Sequence, residues 1–555
     1  MHTRRPRWLV YAVLLIASLS LRMLVARLLP NDEPFDGKVY SQIASNLLEQ
    51  HVYSHATEPP YSPSLIRLPG YPIFLATIYS VFGRHDDAAV RIVQVLIDTA
   101  ACALIALIAF YWEPDEKLKP CSSIAAFALA ALCPFTTIYV ATILTETPTV
   151  FLAVAMCLSA TLAFKATKHG TILSLWTATG LIAGFAVLFR PDNGLFAAAV
   201  GITLVATALA HSGDEEVGKS EEILFRISRA SFRGLVFSLA FCLVLVPWTV
   251  RNFRVFHLFQ PLAPAHAEMP GEFVPRGYLA WLRTWIDDER DVGPVLWALD
   301  ESPIYPEEIP DRAFDSAEEK QRVTALLEEY NHPPDEESKI MFASGSRDAD
   351  VPPEDQRKWN DESESGETER EPVRDNEREQ SEETDQSDEA PAPDQTSQDQ
   401  YVEMTSVVDA GFAKIAGERI AHHPLRYFVL LPIKRAVSLW FDTHSQYYPF
   451  QGELLPLADL DYDIHQEIWL PLFAGFTWLY TLLGVAGAWV LWRSRDFTAR
   501  RWVVLAGLII FLRLGFFATL ENPEPRYVVE IFPFLAILGG ASVGRIFKTL
   551  QTSRA

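Results

Sequence analysis

Apolar residues along the chain gather into blocks about as long as the roughly 20 residues a helix needs to cross a bilayer. Ten such blocks are read as spans: Trp8–Leu29, Ala88–Tyr111, Ser122–Ala141, Thr147–Phe164, Thr171–Phe189, Gly194–Ala210, Ser231–Val250, Ile468–Trp492, Trp502–Leu520 and Tyr527–Val543. The pattern predicts an all-α polytopic membrane protein of about ten transmembrane helices. Arg22 and Arg27 interrupt the first block, and Asp98 and Arg513 fall inside two others.

Between the first and second blocks the period changes. Val39, Tyr40, Ile43, Ala44, Leu47 and Leu48 recur at helical spacing, which predicts a short surface helix beginning just after Asp36. The apolar piece Tyr71–Phe82 is too short to span and ends at Gly83, so it is read as a second interfacial helix. Leu425–Phe441 is apolar but holds Lys434 and Arg435, and is read in the same way. Ser316 and Glu319 have capping-box spacing ahead of a predicted helix to Tyr330.

The reading divides the chain into five regions. Residues 1–250 form an N-terminal membrane region, with a first loop at 30–87. Residues 251–347 are an exoplasmic region, and 348–400 an acidic insertion. Residues 401–467 hold interfacial helices, and 468–555 a C-terminal membrane region. Lysines and arginines set the orientation. Arg4, Arg5 and Arg7 precede the first block, Lys165 and Lys168 lie on one turn, Arg493, Arg495, Arg500 and Arg501 on another, and Arg545 and Lys548 near the end. They place both termini inside and the first loop outside.

Composition changes this picture little. The net charge of −23 is concentrated between Asp348 and Asp399, where 20 acids and 5 bases supply about −15 of it. That stretch is nearly free of apolar residues and is expected to be disordered. No basic stripe suggests nucleic acid as a partner. The five cysteines lie in or beside apolar blocks without metal-ligand or redox spacing, so no disulfide framework is expected.

The same topology gathers charged groups at the outer surface: Asp36, Arg67, Glu146, Arg190, Arg251, Asn252, Glu524 and Arg526. A carboxylate facing arginines suits removal of a proton from an attacking hydroxyl while guanidinium groups hold a leaving phosphate. Each residue also has a plainer role. Asp36 suits a helix N-cap, worth about 1 kcal/mol. Glu146 stands before a good helix start, and Arg190 and Arg251 sit where span-end arginines snorkel. Asp32 and Glu33 are rivals to Asp36 as a base.

Six pieces spread through the chain carry a family resemblance. They are DGKVYSQIASNLLEQHVYS from Asp36, RLPGYPIFLATIYSVFG from Arg67, ILTETPTVFLA from Ile143, LFRPDNGL from Leu188, VPWTVRNFRVF from Val246 and ENPEPRYVVEIFPFLAIL from Glu521. In order and spacing the chain resembles the GT-C membrane glycosyltransferases. In particular it resembles the bacterial relatives of protein O-mannosyltransferases and lipid A aminoarabinose transferases.

The resemblance implies a polyprenyl-phosphate-linked sugar donor and inverting transfer on the exoplasmic face of a cell membrane. The acceptor would be a lipid, glycan or protein hydroxyl. Asp36 and Glu146 become the catalytic candidates. Arg67, Tyr40, Arg190, Arg251, Asn252, Glu524, Arg526 and Tyr527 become the substrate-binding candidates. No cofactor is required, since arginines can balance the phosphate; a divalent ion held by Asp36 and Glu146 is the alternative. The rival functions are a transporter or flippase of lipid-linked sugars and an envelope polysaccharide polymerase or ligase. A transporter should show more charges deep inside its spans than this chain does.

Overall fold

A computed structural model describes residues 7–29, 35–83, 85–210, 219–264, 266, 268–333, 402–442, 464–494 and 496–553. Asp32, Glu33 and the acidic stretch 348–400 lie outside them. The chain divides into two compact units, Met1–Val292 with Ala416–Ala555, and Gly293–Ile415. Among the described residues there is no strand.

The first unit is a multi-pass helical bundle. Its helices are α1 (Arg7–Leu28), α2 (Phe35–Glu49), α3 (Gly70–Phe82), α4 (Asp87–Trp112), α5 (Lys119–Ala131), α6 (Pro134–Thr137), α7 (Glu146–Lys165), α8 (His169–Phe189), α9 (Gly194–Leu209), α10 (Lys219–Phe256) and α11 (Arg276–Leu282). Two further helices, α12 (Ala317–Asn331) and α13 (Ser406–His422), come next, α13 running from the second unit into the first. The first unit ends with α14 (Leu431–Phe441), α15 (Ile464–Arg493), α16 (Phe497–Phe517) and α17 (Phe532–Ser553). Among the described residues, eight helical stretches are long and apolar enough to cross a membrane, or nine if one bent pair is a single span.

The difference from ten spans lies in α16. It carries Arg500, Arg501 and Arg513 in 21 residues and is not among those nine stretches. α3, at 13 residues, is too short to cross, as its sequence predicted. α10 is the opposite case: 38 residues reach roughly 57 Å at about 1.5 Å each, well beyond the apolar thickness of a bilayer.

The block Ser122–Ala141 is not one helix. Pro134 has no N–H for the helical ladder, and the chain turns through 51° between α5 and the Pro134–Ala141 segment. Arg22, the residue that spoiled the first apolar block, meets the carbonyls this break releases. Its guanidinium donates to Ala131 O at 3.0 Å and Ala130 O at 3.2 Å. It also donates to Asp98 Oδ2 at 2.5 Å, Ser18 Oγ at 2.8 Å and Cys102 Sγ at 3.1 Å. Two intramembrane charges from α1 and α4 thus pair with each other and with a broken helix, the arrangement that makes such residues tolerable in lipid.

Close backbone approach locks α15 to α17. A Cβ on Gly487 would lie 1.8 Å from Leu538 O, so no larger residue fits there. On α14, Arg435 is buried and donates to Ile286 O at 2.7 Å and Arg283 O at 2.6 Å, and Lys434 pairs with Asp287 at 2.8 Å. The two charges that argued against a span there thus serve the loop that follows α11.

In the second unit half of the predicted capping box is present at the start of α12: Ser316 Oγ accepts from Glu319 N at 3.1 Å, while Glu319 Oε1 accepts from Asp315 N at 3.4 Å. Val323, Leu327 and Tyr330 of α12 and Val408 and Phe412 of α13 are buried. Asn331 exchanges hydrogen bonds with the backbone of Ile304 at 2.9 and 3.0 Å.

Candidate active site

Alternation of the bundle helices brings one set of helix ends together: the end of α1, the starts of α4 and α7, the end of α8, the start of α9, the ends of α10 and α16 and the turn before α17. α2 and α3 lie in the connection between α1 and α4. Asp36 falls inside the first turn of α2, which already begins at Phe35. That is two residues past the cap position, and its carboxylate is turned to two arginines. Arg67 Nη2 donates to Oδ1 at 2.8 Å and Arg526 Nη2 to Oδ2 at 3.2 Å. Arg526 also pairs through Nε with Glu524.

Loop packing fixes Arg67. Asn46 of α2 donates to Ser54 O at 2.9 Å and Ala56 O at 2.8 Å, tying the loop back onto its helix. Tyr53 Oη donates to Arg67 O at 3.1 Å. Next comes the motif RLPGYP, whose glycine has a steric purpose. A Cβ on Gly70 would sit 2.6 Å from Leu188 O and from the Phe189 ring, so α3 begins against the end of α8. Arg67 and Arg190 are thereby brought to the same end of the bundle. Tyr40, one helical turn after Asp36, lies under the Arg67 guanidinium at 5.9 Å and packs edge-on against Tyr71 at 5.1 Å.

A deeper layer adjoins the first. Arg190, at the C-cap of α8, reaches Glu146 Oε1 at 2.8 Å and Asp192 Oδ1 at 3.1 Å. Its guanidinium lies over the Tyr527 ring at 5.5 Å. Arg513 of α16 pairs with Asp192 at 2.6 Å and with Glu530 at 2.8 Å, and donates to Tyr527 O at 2.6 Å. Thr149 of α7 donates to Glu530 at 2.5 Å. Exposure falls from layer to layer: Asp36 and Arg67 are 28% and 23% exposed, Arg513 0%.

The electrostatics follow from these distances. Burial alone would raise the pKa of Asp36, but Arg526 and Arg67 outweigh it and hold the carboxyl below the usual range. Burial, with the Asp36 charge adding to it, pushes the Tyr40 phenol up to about 12, so it is a neutral donor at physiological pH. Burial opposes the Arg190 charge, yet Asp192, Glu530 and Glu146 overcome this and keep it firmly protonated. Buried atoms that make no hydrogen bond among the described residues include Arg67 Nε and Glu146 Oε2. Among those residues no three His, Cys, Asp or Glu side chains are grouped to hold a metal ion. Asp36 and Glu146 are each paired with arginines instead.

Eight of the ten sequence candidates therefore meet: Asp36, Tyr40, Arg67, Glu146, Arg190, Glu524, Arg526 and Tyr527. Arg251 and Asn252 are engaged elsewhere. Arg251 donates to Ser64 O at 2.7 Å and Asn252 Oδ1 at 2.9 Å, and its guanidinium lies over Trp248 at 4.9 Å and Tyr53 at 5.3 Å. Asn252 donates to Gln260 O at 2.8 Å. Arg251 braces the loop that carries Arg67, and Asn252 the segment that follows α10. The sequence reading gave no site role to Asp192, Arg513 and Glu530. Each is an acid or base at the edge of, or inside, an apolar block, which was the available signal.

Comparison with known proteins agrees with the motif reading over part of the chain. Residues 62–216 match a protein-family model described as dolichyl-phosphate-mannose-protein mannosyltransferase, a family of GT-C type. The match takes in Arg67, Glu146, Arg190 and Asp192 and leaves out Asp36 and Arg526. It supports a membrane glycosyltransferase of GT-C type. No curated protein matches the chain. Among solved structures, the oligosaccharyltransferase of Archaeoglobus fulgidus tethered to an acceptor peptide is similar at 12% identity and a TM-score of 0.47, over 99% of this chain and 50% of that one. The same organism's oligosaccharyltransferase with an inhibitory peptide and a dolichol-phosphate gives 11% and 0.46, over 98% and 51%. The chain spans about half the length of these structures.

Proposed function

We propose that this protein transfers a sugar from a polyprenyl-phosphate carrier to an acceptor hydroxyl, with inversion, at the exoplasmic face of the cell membrane. The observation that carries the reading is the Asp36 carboxylate bridging Arg67 and Arg526 at a partly open bundle end. Asp36 takes the proton of the acceptor hydroxyl, and the oxygen attacks the anomeric carbon. The bond from that carbon to the phosphate oxygen breaks, and the electron pair leaves with the polyprenyl phosphate. Arg67 and Arg526 balance its charge. Lipid, glycan and protein acceptors all offer such a hydroxyl.

The arginines are not idle in the free protein, because Asp36 occupies both. A donor phosphate competes with Asp36 for them. Its arrival strips the carboxylate of the partners that keep it weakly basic, so donor binding prepares the base. Exoplasmic orientation is supported by the basic turns around Lys165, Arg493–Arg501 and Arg545, which lie at the opposite helix ends.

The decisive experiment incubates the purified protein in bilayers with polyprenyl-phosphate sugars labelled in the sugar and follows the label. Label that moves to an acceptor, with release of polyprenyl phosphate and an inverted anomeric centre, is the expected result. Label that crosses the bilayer still attached to its lipid would replace transfer by transport. For orientation, Ser62→Cys, on the exposed loop beside Arg67, should react with an impermeant thiol reagent on intact cells. Protection until lysis would place the site on the inner face.

A further inference from the structure

We infer that Arg513 is a positioning residue that sets the place of Arg526; the inference rests on the transfer reading above. Arg513 is fully buried in α16, where an apolar side chain would fill the same space without a charge to desolvate. Its planar fork is instead divided among three partners from two other segments. Nε–H meets the carbonyl of Tyr527, one residue beyond Arg526, at 2.6 Å. Nη2 pairs with Glu530 of the same turn at 2.8 Å and with Asp192 at 2.6 Å. Asp192 in turn pairs with Arg190, and Arg190 with Glu146. One guanidinium thus joins the turn that presents Arg526 to the helix end that presents Arg190.

The surroundings restrict its movement. Arg513 lies 5.1 Å from the Phe196 ring centre and 5.2 Å from that of Phe517. Phe517 stacks on Tyr527 at 4.7 Å, and the Arg526 guanidinium lies 5.4 Å over the other ring of that stack. The turn Pro525–Ile531 is a 3-10 helix with a proline at its first position, a weak ladder that gains from outside support. A shift of one residue there would carry Arg526 away from Asp36, and misplacement of about 1 Å in a reacting site is known to reduce rates by roughly 100-fold.

A merely structural ion pair is the rival account, and the opposite end of the bundle supplies its control. Arg545 holds Glu113 through two hydrogen bonds of 2.7 and 2.8 Å, at the ends of α4 and α17 away from the site. The test compares Arg513→Met/Glu530→Met with Glu113→Met/Arg545→Met, each removing a pair whole so that no lone buried charge remains. The first is expected to lower kcat/KM roughly 100-fold, mainly through the donor KM; the second should leave the donor KM unchanged. An equal KM shift in both, or parental kinetics in a folded Arg513→Met/Glu530→Met protein, overturns the inference.

Should that variant not fold, Arg513→Lys decides. It keeps the charge, but an ammonium cannot meet all three partners in one plane, so an unchanged donor KM would overturn it. A wild-type protein that transfers no sugar defeats the function reading alone. Hydrogen exchange over residues 525–531 then carries the test. It should quicken in the Arg513 variants and not in the Glu113/Arg545 variant, and equal protection would sink the inference.

Discussion

Arg22–Asp98 and Arg67–Asp36–Arg526 are both arginine–aspartate clusters, and they are built to opposite ends. Inside the bundle, every nitrogen of Arg22 has a partner, and the helix break at Pro134 supplies two of them. Nothing is left over for a ligand. At the bundle end, Asp36 is shared between two arginines, a quarter of its surface is open, and Arg67 Nε makes no hydrogen bond among the described residues. A saturated, closed cluster holds a fold together. A shared, partly open one can exchange its partners, which is what a reaction involving a phosphate and a proton needs.

Asp36→Asn should show the largest effect. It keeps size and one acceptor oxygen but replaces the other with an NH2 and cannot accept a proton, so turnover at saturating donor should fall by roughly 100- to 10,000-fold. It also releases Arg67 and Arg526 from their carboxylate, so the donor KM should stay the same or fall. Steady-state kinetics with a labelled donor read both. Near-parental turnover would remove Asp36 as the base, and a raised donor KM would remove the competition between carboxylate and phosphate.

Arg22→Met should leave chemistry alone and strike stability. It strands Asp98 in the bundle, and breaking one partner of a buried pair typically costs about 3–5 kcal/mol. Arg22→Met/Asp98→Leu should recover most of that loss. Thermal unfolding in detergent checks both, with donor KM measured on whatever remains folded. A large donor KM change in the folded double variant would erase the distinction between the two clusters.

Arg67→Ala and Arg251→Ala split the bundle end itself. Arg67 would meet the phosphate before the reaction, so its loss should raise the donor KM by roughly tenfold, the value of about 1.4 kcal/mol for one charge-assisted contact. Arg251 braces Ser64 and Tyr53, so its loss should lower the melting temperature with a smaller change in KM. Equal donor KM shifts would return Arg251 to the phosphate.

The sequence carried much of this. Helix ends follow from apolar block lengths, and lysine and arginine counts on turns sorted those ends into two faces. That was enough to collect Asp36, Arg67, Glu146, Arg190 and Arg526 from points up to 490 residues apart. It could not show that Arg251 turns back onto the 53–64 loop, because the choice depends on aromatic packing with Trp248 and Tyr53. Nor could it show what Arg22 was for. Apart from Ser18 on its own helix, its partners are 76 to 109 residues away, and two of them are backbone carbonyls that exist as acceptors only because the third apolar block breaks. Arg513 was legible only as an oddity, a charge in an apolar helix; its meaning lies in a carbonyl on another segment.

The smallest predicted effect is a difference between two pH profiles, and it bears most directly on partner exchange. In the free protein, burial favours the neutral acid, but Arg526 and Arg67 prevail and Asp36 stays ionised below the usual carboxylate range. Whatever stability this lowering provides is present at neutral pH and is lost only as pH falls through that depressed value. The kcat/KM profile, which reports the free enzyme, should therefore keep its acid side until pH is very low. Once a donor phosphate has taken the arginines, burial is unopposed and the phosphate adds like charge. Both raise the affinity of Asp36 for a proton. The acid limb of kcat, which reports the bound complex, should thus lie at higher pH than that of kcat/KM. The paired measurement uses one donor across the acid range, with protein integrity checked at each pH. Coincident limbs would mean that Asp36 keeps its arginines throughout, and the bundle-end cluster would then be as closed as the one around Arg22.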